Sequence, residues 1–117
     1  MTIEQAFITT DIIAIENIVM SMPRLIAGAW GRVSYHTKSA AGILSDVTST
    51  SIVVKDITGT IRVTYTAGNL VKVATGKYRY DFQIPVVALY GDWHVVITCS
   101  LGDREAVRTV HFQVTEK

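Results

Sequence analysis

Apolar and polar residues alternate along the C-terminal half of the chain in the way that β-strands require. In residues 77–85 every second side chain is apolar, and the side chains between them are polar. The apolar positions are Tyr78, Tyr80, Phe82 and Ile84. A period of two predicts a strand with one buried face and one solvated face. Pro85 lacks an N–H donor, so we expect it to end the strand.

Two further strands are predicted downstream, in residues 93–101 and 106–115. The inner face of the first carries Trp93, Val95, Ile97, Cys99 and Leu101, and that of the second carries Val110, Phe112 and Val114. Arg108 interrupts the apolar face of the last strand. We expect it near the rim of the core, with its charged head in water.

Upstream, residues 51–56 and 60–66 flank a turn that contains a glycine, and they predict a β-hairpin. Its inner face carries Ile61, Val63 and Tyr65. Residues 70–74 and 30–39 predict two more strands, and residues 40–46 predict a loop.

The N-terminal segment is open to more than one interpretation. Residues 3–10 are compatible with a strand, and residues 11–22 with a second strand or a short helix. Asp11 is a suitable helix N-cap, and three apolar side chains have helical spacing. These are Ile12, Ile15 and Val19. Because β-branched residues dominate this segment, we favour the strand.

The whole pattern predicts an all-β fold, a sandwich of about seven antiparallel strands. We expect a single domain over residues 1–117, in which residues 1–28 form an N-terminal strand or arm. Ile, Val and Thr account for 42 of the 117 residues, and these stiff side chains suit a pleated surface. With 49% hydrophobic and 18% charged residues, the chain has enough apolar material for a core.

Charge and hydropathy argue against two classes of partner. The net charge is +1 and the cations are scattered, so we expect no nucleic-acid binding. No stretch reaches the roughly 20 apolar residues that span a bilayer, so we expect no membrane insertion. The N-terminus lacks the basic start of a secretory signal. A virion or a cell surface is the favoured location.

A motif in residues 76–93 adds a family resemblance. The predicted strand ends in Ile84-Pro85, and a short connection leads to Gly91-Asp92-Trp93. In this the chain resembles bacterial, archaeal and phage immunoglobulin-like modules, over about residues 28–115. The resemblance implies an immunoglobulin-like β-sandwich that serves as a spacer, an adhesion domain or a phage decoration. Cys99 has no second cysteine to pair with, so the antibody disulfide is absent.

Candidate chemistry is sparse. His36, His94 and His111 lie on predicted outward faces, and His94 and His111 approach each other if their strands pair. We expect solvated histidines and no metal site, because zinc needs three or four converging ligands. Cys99 shares a face with core residues and is expected to be a buried, inert thiol.

The aspartates are also expected to be structural. Asp46, Asp56, Asp92 and Asp103 lie in or beside turns, where aspartate accepts hydrogen bonds from nearby N–H groups. No nucleophile motif, phosphate-binding glycine loop or catalytic carboxylate pair can be identified. We therefore expect no enzyme activity and no cofactor.

Two sets of residues are candidates for binding. Trp30 and Tyr90 fall at strand edges or turns and are compatible with a sugar-binding platform, although packing at the ends of the core is favoured. The apolar segment 12–26, with Ile12, Ile15 and Ile18, is a candidate for burial in a neighbouring subunit.

The leading hypothesis is a structural or protein-interaction module that associates with a protein partner or with itself. A phage virion component, such as a decoration, neck or tail protein, is one such module. The alternative is a carbohydrate-binding or adhesion module of a cell-surface protein.

Overall fold

The structure is a computed structural model, and it describes residues 13–39 and 41–116. In these residues the chain forms nine strands. They are β1 (Ile13–Met20), β2 (Arg24–Ile26), β3 (Trp30–Ser39), β4 (Ser49–Lys55), β5 (Ile61–Val63), β6 (Leu70–Ala74), β7 (Lys77–Gln83), β8 (Gly91–Leu101) and β9 (Arg104–Thr115). A single turn of 3₁₀-helix, Ala67–Asn69, precedes β6. None of the described residues forms a helix long and apolar enough to cross a bilayer.

The strands form two sheets that pack face to face. The first sheet has the order β1-β3-β7-β6, and the second has the order β2-β9-β8-β4-β5. Every described pairing is antiparallel except that of β2 with β9, which is parallel. The predicted all-β sandwich is confirmed, with nine strands in place of about seven. β2 is too short, at three residues, for its alternation to be readable in the sequence.

The core lies between the sheets and is built from the predicted alternating faces. Tyr78, Tyr80, Phe82 and Ile84 are all buried, as are Trp93, Val95, Ile97 and Cys99. The ring of Phe112 from β9 contacts Phe82 across the sandwich, with centroids 5.8 Å apart. Removing each large side chain of this kind from water stabilises the fold by about 1.5–3 kcal/mol before entropy is counted.

The hairpin of β4 and β5 is confirmed, but its second strand is shorter than predicted. The strand expected over residues 60–66 spans only Ile61–Val63. Ile61 was expected to face the core and is 49% exposed, because it follows the turn directly and lies at the edge of the sheet. Val63 and Tyr65 are half-buried against the core, as expected.

The N-terminal segment is a strand where the structure describes it. β1 pairs with β3, and a bulge at Asn17, whose φ is 51°, shifts the register. The favoured strand is therefore confirmed for Ile13–Met20 over the short helix. The possible strand in residues 3–10 lies outside the described residues, as does the proposed cap Asp11.

Candidate interaction surfaces

Exposed apolar side chains gather at one end of the sandwich. At this end β7 leads into β8 through residues 84–90, and the β4–β5 turn lies beside the start of β8. We call this surface the apolar end. It comprises Ile57, Ile61, Val86, Val87, Leu89 and Tyr90. Val86 is 78% exposed and Val87 is 82% exposed, which leaves two adjacent aliphatic side chains almost entirely in water.

The backbone of residues 84–90 is anchored to the first sheet. Ile84 N–H donates to the carbonyl oxygen of Ala29 at 2.9 Å, and Gly28 N–H donates to the carbonyl oxygen of Ile84 at 3.0 Å. The side-chain amide of Gln83 also donates to the carbonyl oxygen of Gly28, at 3.1 Å. Pro85 has no N–H to continue the ladder, so the chain leaves the sheet here and crosses to the second sheet.

The same segment is anchored to the second sheet. Trp93 Nε1 donates to the carbonyl oxygen of Leu89 at 2.8 Å, and Trp93 is fully buried. Arg62 Nη2 donates to the carbonyl oxygen of Val87 at 3.2 Å. Because both sheets hold the backbone, the exposed valines are presented by a fixed support, and a preorganised surface loses less entropy on binding.

The turn that carries Ile57 is held by a buried carboxylate. Asp56 is 2% exposed, and its Oδ1 accepts hydrogen bonds from the Thr58 hydroxyl at 2.6 Å and from the Thr58 and Thr60 N–H groups at 2.9 and 3.2 Å. The Thr58 hydroxyl above all, with those N–H groups and Arg62, holds the pKa of Asp56 below its ordinary value. Asp56 therefore has the turn-capping role expected from the sequence.

A separate depression lies on the outer face of the first sheet. It encloses about 330 Å³ and is lined by Ser21, Trp30, Gly31, Arg32 and Asp81. Arg32 Nε donates to Asp81 Oδ1 at 2.7 Å, and Nη2 lies 3.3 Å from Oδ2. Trp30 is 59% exposed at its edge.

The exposure of both aromatic candidates corrects one expectation. Trp30 and Tyr90 were favoured to pack the ends of the core, yet they are 59% and 54% exposed. Trp30 lies on the outer face of β3, because the next residue, Gly31, occupies an inward position where an added Cβ would meet Leu25 and Phe82. Tyr90 lies in the connection before β8 and belongs to the apolar end.

Comparison with known proteins identifies the fold. No family model matches the sequence, and no characterised protein matches it significantly. Solved structures do match. A DUF4785 family protein from Legionella pneumophila aligns with a TM-score of 0.61 at 11% identity, over 89% of this chain and 28% of that protein. Elastase-activated alpha-2-macroglobulin from Escherichia coli aligns with a TM-score of 0.62 at 17% identity, over 86% of this chain and 8% of that protein.

The Lin-41 filamin domain, a single domain of similar size, decides the architecture. It aligns with a TM-score of 0.57 at 15% identity, over 87% of this chain and 95% of that domain. The chain is an immunoglobulin-like, filamin-like β-sandwich. The sequence resemblance is thereby confirmed at the level of fold. The chain spans less than a third of the Legionella and Escherichia coli proteins that it matches.

Two of the three N-terminal isoleucines that were candidates for partner contact pack within the Ig-like domain itself. Ile15 is 1% exposed in the core, and Ile18 is half-buried against it. The expectation that Ile15 contacts a neighbouring subunit is therefore wrong, because its side chain faces the second sheet within this chain. Ile12 lies outside the described residues.

The histidines lie on outward faces, as expected. His94 and His111 are register partners on β8 and β9, with ring centroids 5.5 Å apart, and His111 Nδ1 lies 2.9 Å from Asp92 Oδ2. In residues 13–39 and 41–116, no three His, Cys, Asp or Glu side chains are placed to hold a metal ion. Cys99 of the Ig-like domain is fully buried, and burial raises the pKa of its thiol.

Sequence reasoning missed the valines of the apolar end. Residues 85–90 read Pro-Val-Val-Ala-Leu-Tyr, an apolar run without alternation between a proline and a Gly-Asp turn. A short apolar run with turn signals on both sides is compatible with a buried strand as well as with an exposed loop, so its exposure could not be inferred from periodicity.

Proposed function

We propose that this Ig-like domain is a non-catalytic structural module that associates through its apolar end with a second copy of the same chain. The observation that carries the proposal is the exposure of Val86 and Val87, at 78% and 82%, on a backbone anchored to both sheets. Contiguous apolar patches that remain exposed on a soluble protein commonly mark an interaction site.

A second copy suits this surface because none of its six side chains is charged. Two identical apolar surfaces can therefore meet across a two-fold axis, and the charge of Arg62, which lies beside Val87, is already paired with Asp56. The chemistry of the remaining groups supports a non-catalytic role. Cys99 is buried with a raised thiol pKa, and His111 lies against Asp92 on an outward strand face.

Sedimentation velocity over a range of protein concentrations tests self-association. We expect the wild type to form dimers as concentration rises, and the double variant Val86→Ser/Val87→Ser to stay monomeric. Val107→Ser is the matched control, because Val107 is 52% exposed on β9 near the opposite end of the sandwich. It should associate like the wild type.

Two outcomes contradict this proposal. One is a wild type that stays monomeric at the highest soluble concentration. The other is a loss of association in Val107→Ser equal to that in the double variant, which would show that the apolar end is not the contact surface. Thermal melts of all variants separate loss of contact from loss of fold.

We further propose a phage virion as the setting, in a decoration, neck or tail protein. The support is the sequence resemblance to modules that include phage decorations, together with a surface suited to repeated self-contact. A gene for a capsid or tail protein beside this one would support the assignment, and a gene neighbourhood of glycosidases or secreted adhesins would argue against it.

A second candidate function is glycan binding at Trp30. An exposed indole face beside an arginine–aspartate pair offers a stacking surface and hydrogen-bonding groups for sugar hydroxyls, and the depression of about 330 Å³ is within the range of small-molecule sites. The chain has two tryptophans, and Trp93 is fully buried. A change in tryptophan fluorescence on adding sugars therefore reports on Trp30. No change across a panel of oligosaccharides, with Trp30→Ala as the blank, would remove this candidate.

A further inference from the structure

The outer face of the first sheet carries a second depression that continues the first. It encloses about 310 Å³ and is lined by Arg32, Ser34, His36, Val73, Lys77, Tyr78 and Arg79. Arg32 lines both depressions. Because they share Arg32, the two depressions are adjacent along β3 and β7, and we call the pair the outer groove. Trp30 lies at one end of it and Lys77 at the other.

Arg79 is the residue in the groove that most needs a partner. Its side chain is half-buried, and its Nε is enclosed without a hydrogen-bond acceptor in the described part of the chain. Leaving a buried donor unsatisfied destabilises a fold, and more so when the donor is charged. A ligand in the groove does not reach the enclosed Nε, but a negative charge beside the guanidinium would stabilise its partly buried positive charge.

Lys77 and Arg79 place two positive charges at this end of the groove, and the only opposing charge that the structure shows acting on Arg79, among the described residues, is that of Asp81, which is paired with Arg32. Among the described residues, neither Lys77 nor Arg79 has an ion pair with a carboxylate. Ser34 is the register partner of Arg79 across β3 and adds a hydroxyl. His36 Nδ1 lies 3.0 Å from the side-chain amide nitrogen of Asn17. Because an amide nitrogen can only donate, Nδ1 accepts in this bond, and the proton of the neutral ring is on Nε2.

The groove is too long for a single small anion to fill. Ser34 lies four positions after Trp30 along β3, which is about 13 Å at the usual rise of a strand. A ligand that contacts both the indole and Arg79 is therefore an extended molecule.

The strand order argues against an added peptide strand. β3 and β7 are inner strands of the sheet, and each is paired on both sides. Their backbone groups are already bonded, so recognition in the groove relies on side chains. An indole at one end suits the flat face of a sugar ring.

Asp81 argues against a nucleic acid. Its carboxylate lies between Trp30 and Arg79 in the register, paired with Arg32 at 2.7 Å. A fixed negative charge in the middle of the groove disfavours a phosphate there, whereas it accepts hydrogen bonds from sugar hydroxyls, so the anionic group of a ligand is expected at the Arg79 end of the groove.

We propose that the outer groove binds an acidic oligosaccharide, with a sugar ring stacked on Trp30 and a carboxylate or sulfate group held by Arg79 and Lys77. This inference rests on the second candidate function, glycan binding at Trp30, and names the class of glycan. It is independent of self-association at the apolar end.

Isothermal titration calorimetry with oligogalacturonate and a sulfated glycosaminoglycan fragment tests the proposal, with a neutral cello-oligosaccharide as the comparison. We expect the wild type to bind at least one acidic ligand at least tenfold more tightly than the neutral one. Arg79→Gln should weaken acidic binding by tenfold or more and reduce its dependence on salt. Trp30→Ala should weaken binding of acidic and neutral sugars alike.

Lys55→Gln is the matched control, because Lys55 is a half-buried cation of the second sheet, outside the groove. It should bind like the wild type. Lys77→Gln provides a second test if Arg79→Gln lowers the melting temperature, since Lys77 lies at the strand terminus.

Several results would overturn the proposal. Equal affinity for acidic and neutral sugars, with no effect of Arg79→Gln or Lys77→Gln, would show that the groove does not select acidic glycans. Glycan binding at Trp30 would still stand. Absence of binding to every sugar removes both. Tighter binding of a polyglutamate peptide or a single-stranded oligonucleotide than of any acidic sugar assigns the groove to another partner.

Discussion

Arg108 Nη1 donates a hydrogen bond to the carbonyl oxygen of Ile15 at 3.0 Å, and this bond joins the two sheets along one side of the sandwich. Ile15 belongs to β1, the edge strand of the first sheet, and Arg108 to β9 in the second. The arginine that interrupts an apolar face in the sequence thus satisfies a backbone acceptor of an edge strand that has a partner on one side only.

We expect Arg108→Ala to destabilise the fold by about 1 kcal/mol, because a charged donor is removed from an acceptor at a partly exposed site. Thr109→Ala, at the next position on the outward side of β9, should change stability far less. The midpoints of urea unfolding compare the two. Equal effects would mean that the bond between the sheets contributes nothing measurable.

Tyr35→Phe should leave stability unchanged or raise it by up to about 1 kcal/mol. The Tyr35 hydroxyl is buried and makes no hydrogen bond of good geometry among the described residues, although Thr50 and Cys99 lie near it, and burial raises its pKa. Tyr78→Phe is the contrast. The Tyr78 hydroxyl accepts from Val47 N–H at 3.3 Å, so its removal should cost about 1 kcal/mol. Thermal or chemical unfolding of both variants measures the two changes in stability. A clear loss of stability in Tyr35→Phe would show that the Tyr35 hydroxyl is hydrogen-bonded.

Gly76→Ala should be much more destabilising than Gly102→Ala. Both glycines have positive φ, 68° and 63°, so each substitution carries a backbone cost of about 1–2 kcal/mol. A Cβ at Gly76 would also come within 2.7 Å of the Thr37 carbonyl oxygen and 2.8 Å of Ser45 N, whereas Gly102 faces open space. The steric clash should add about 1–3 kcal/mol in Gly76→Ala alone. Similar melting temperatures for the two variants would contradict this packing.

Asp56 should make stability depend on pH in the acid range. Its folded-state pKa lies below the ordinary value of 3.8, chiefly because the Thr58 hydroxyl donates to the carboxylate. The ionised form therefore stabilises the fold fully above that ordinary value, and the contribution is lost as the pH falls through the lowered one.

The experiment compares the wild type with Asp56→Asn. The wild type should be the more stable of the two at neutral pH, and the difference should shrink as the pH falls below about 3.8. Urea unfolding at several pH values measures it. A difference that stays constant from neutral to acid pH would show that the Asp56 charge does not contribute.

Much of the fold can be predicted from the alternation of apolar and polar residues within single strands. The inner faces of β7 and β8 were predicted residue by residue, and β3 was predicted with its observed ends. A strand between a core and solvent imposes a period of two on its own sequence, so each could be identified without its neighbours. The short strand β2 and the exposure of Ile61 escaped prediction, because three residues or a sheet edge leave too little pattern.

The candidate surfaces were predicted less completely. Trp30 and Tyr90 were named from the sequence, but their exposure was not, and the valines at positions 86 and 87 were missed. Whether a side chain near a strand end faces core or water depends on how the sandwich closes there. Closure is set by contacts between distant segments, such as Gly28 with Ile84 and Arg62 with Val87.

The sequence by itself determined that this chain is a β-sandwich, which faces of its strands are buried, and that Cys99 lies in the core. Only the tertiary structure decided which surfaces are available to a partner. Arg32 and Arg79 lie 47 positions apart in the chain and meet in one groove because β3 and β7 pair in a single register. The alternation of apolar and polar residues predicts which face of a strand is buried. It does not predict which strands pair or in which register, and pairing decides which residues are neighbours across a sheet.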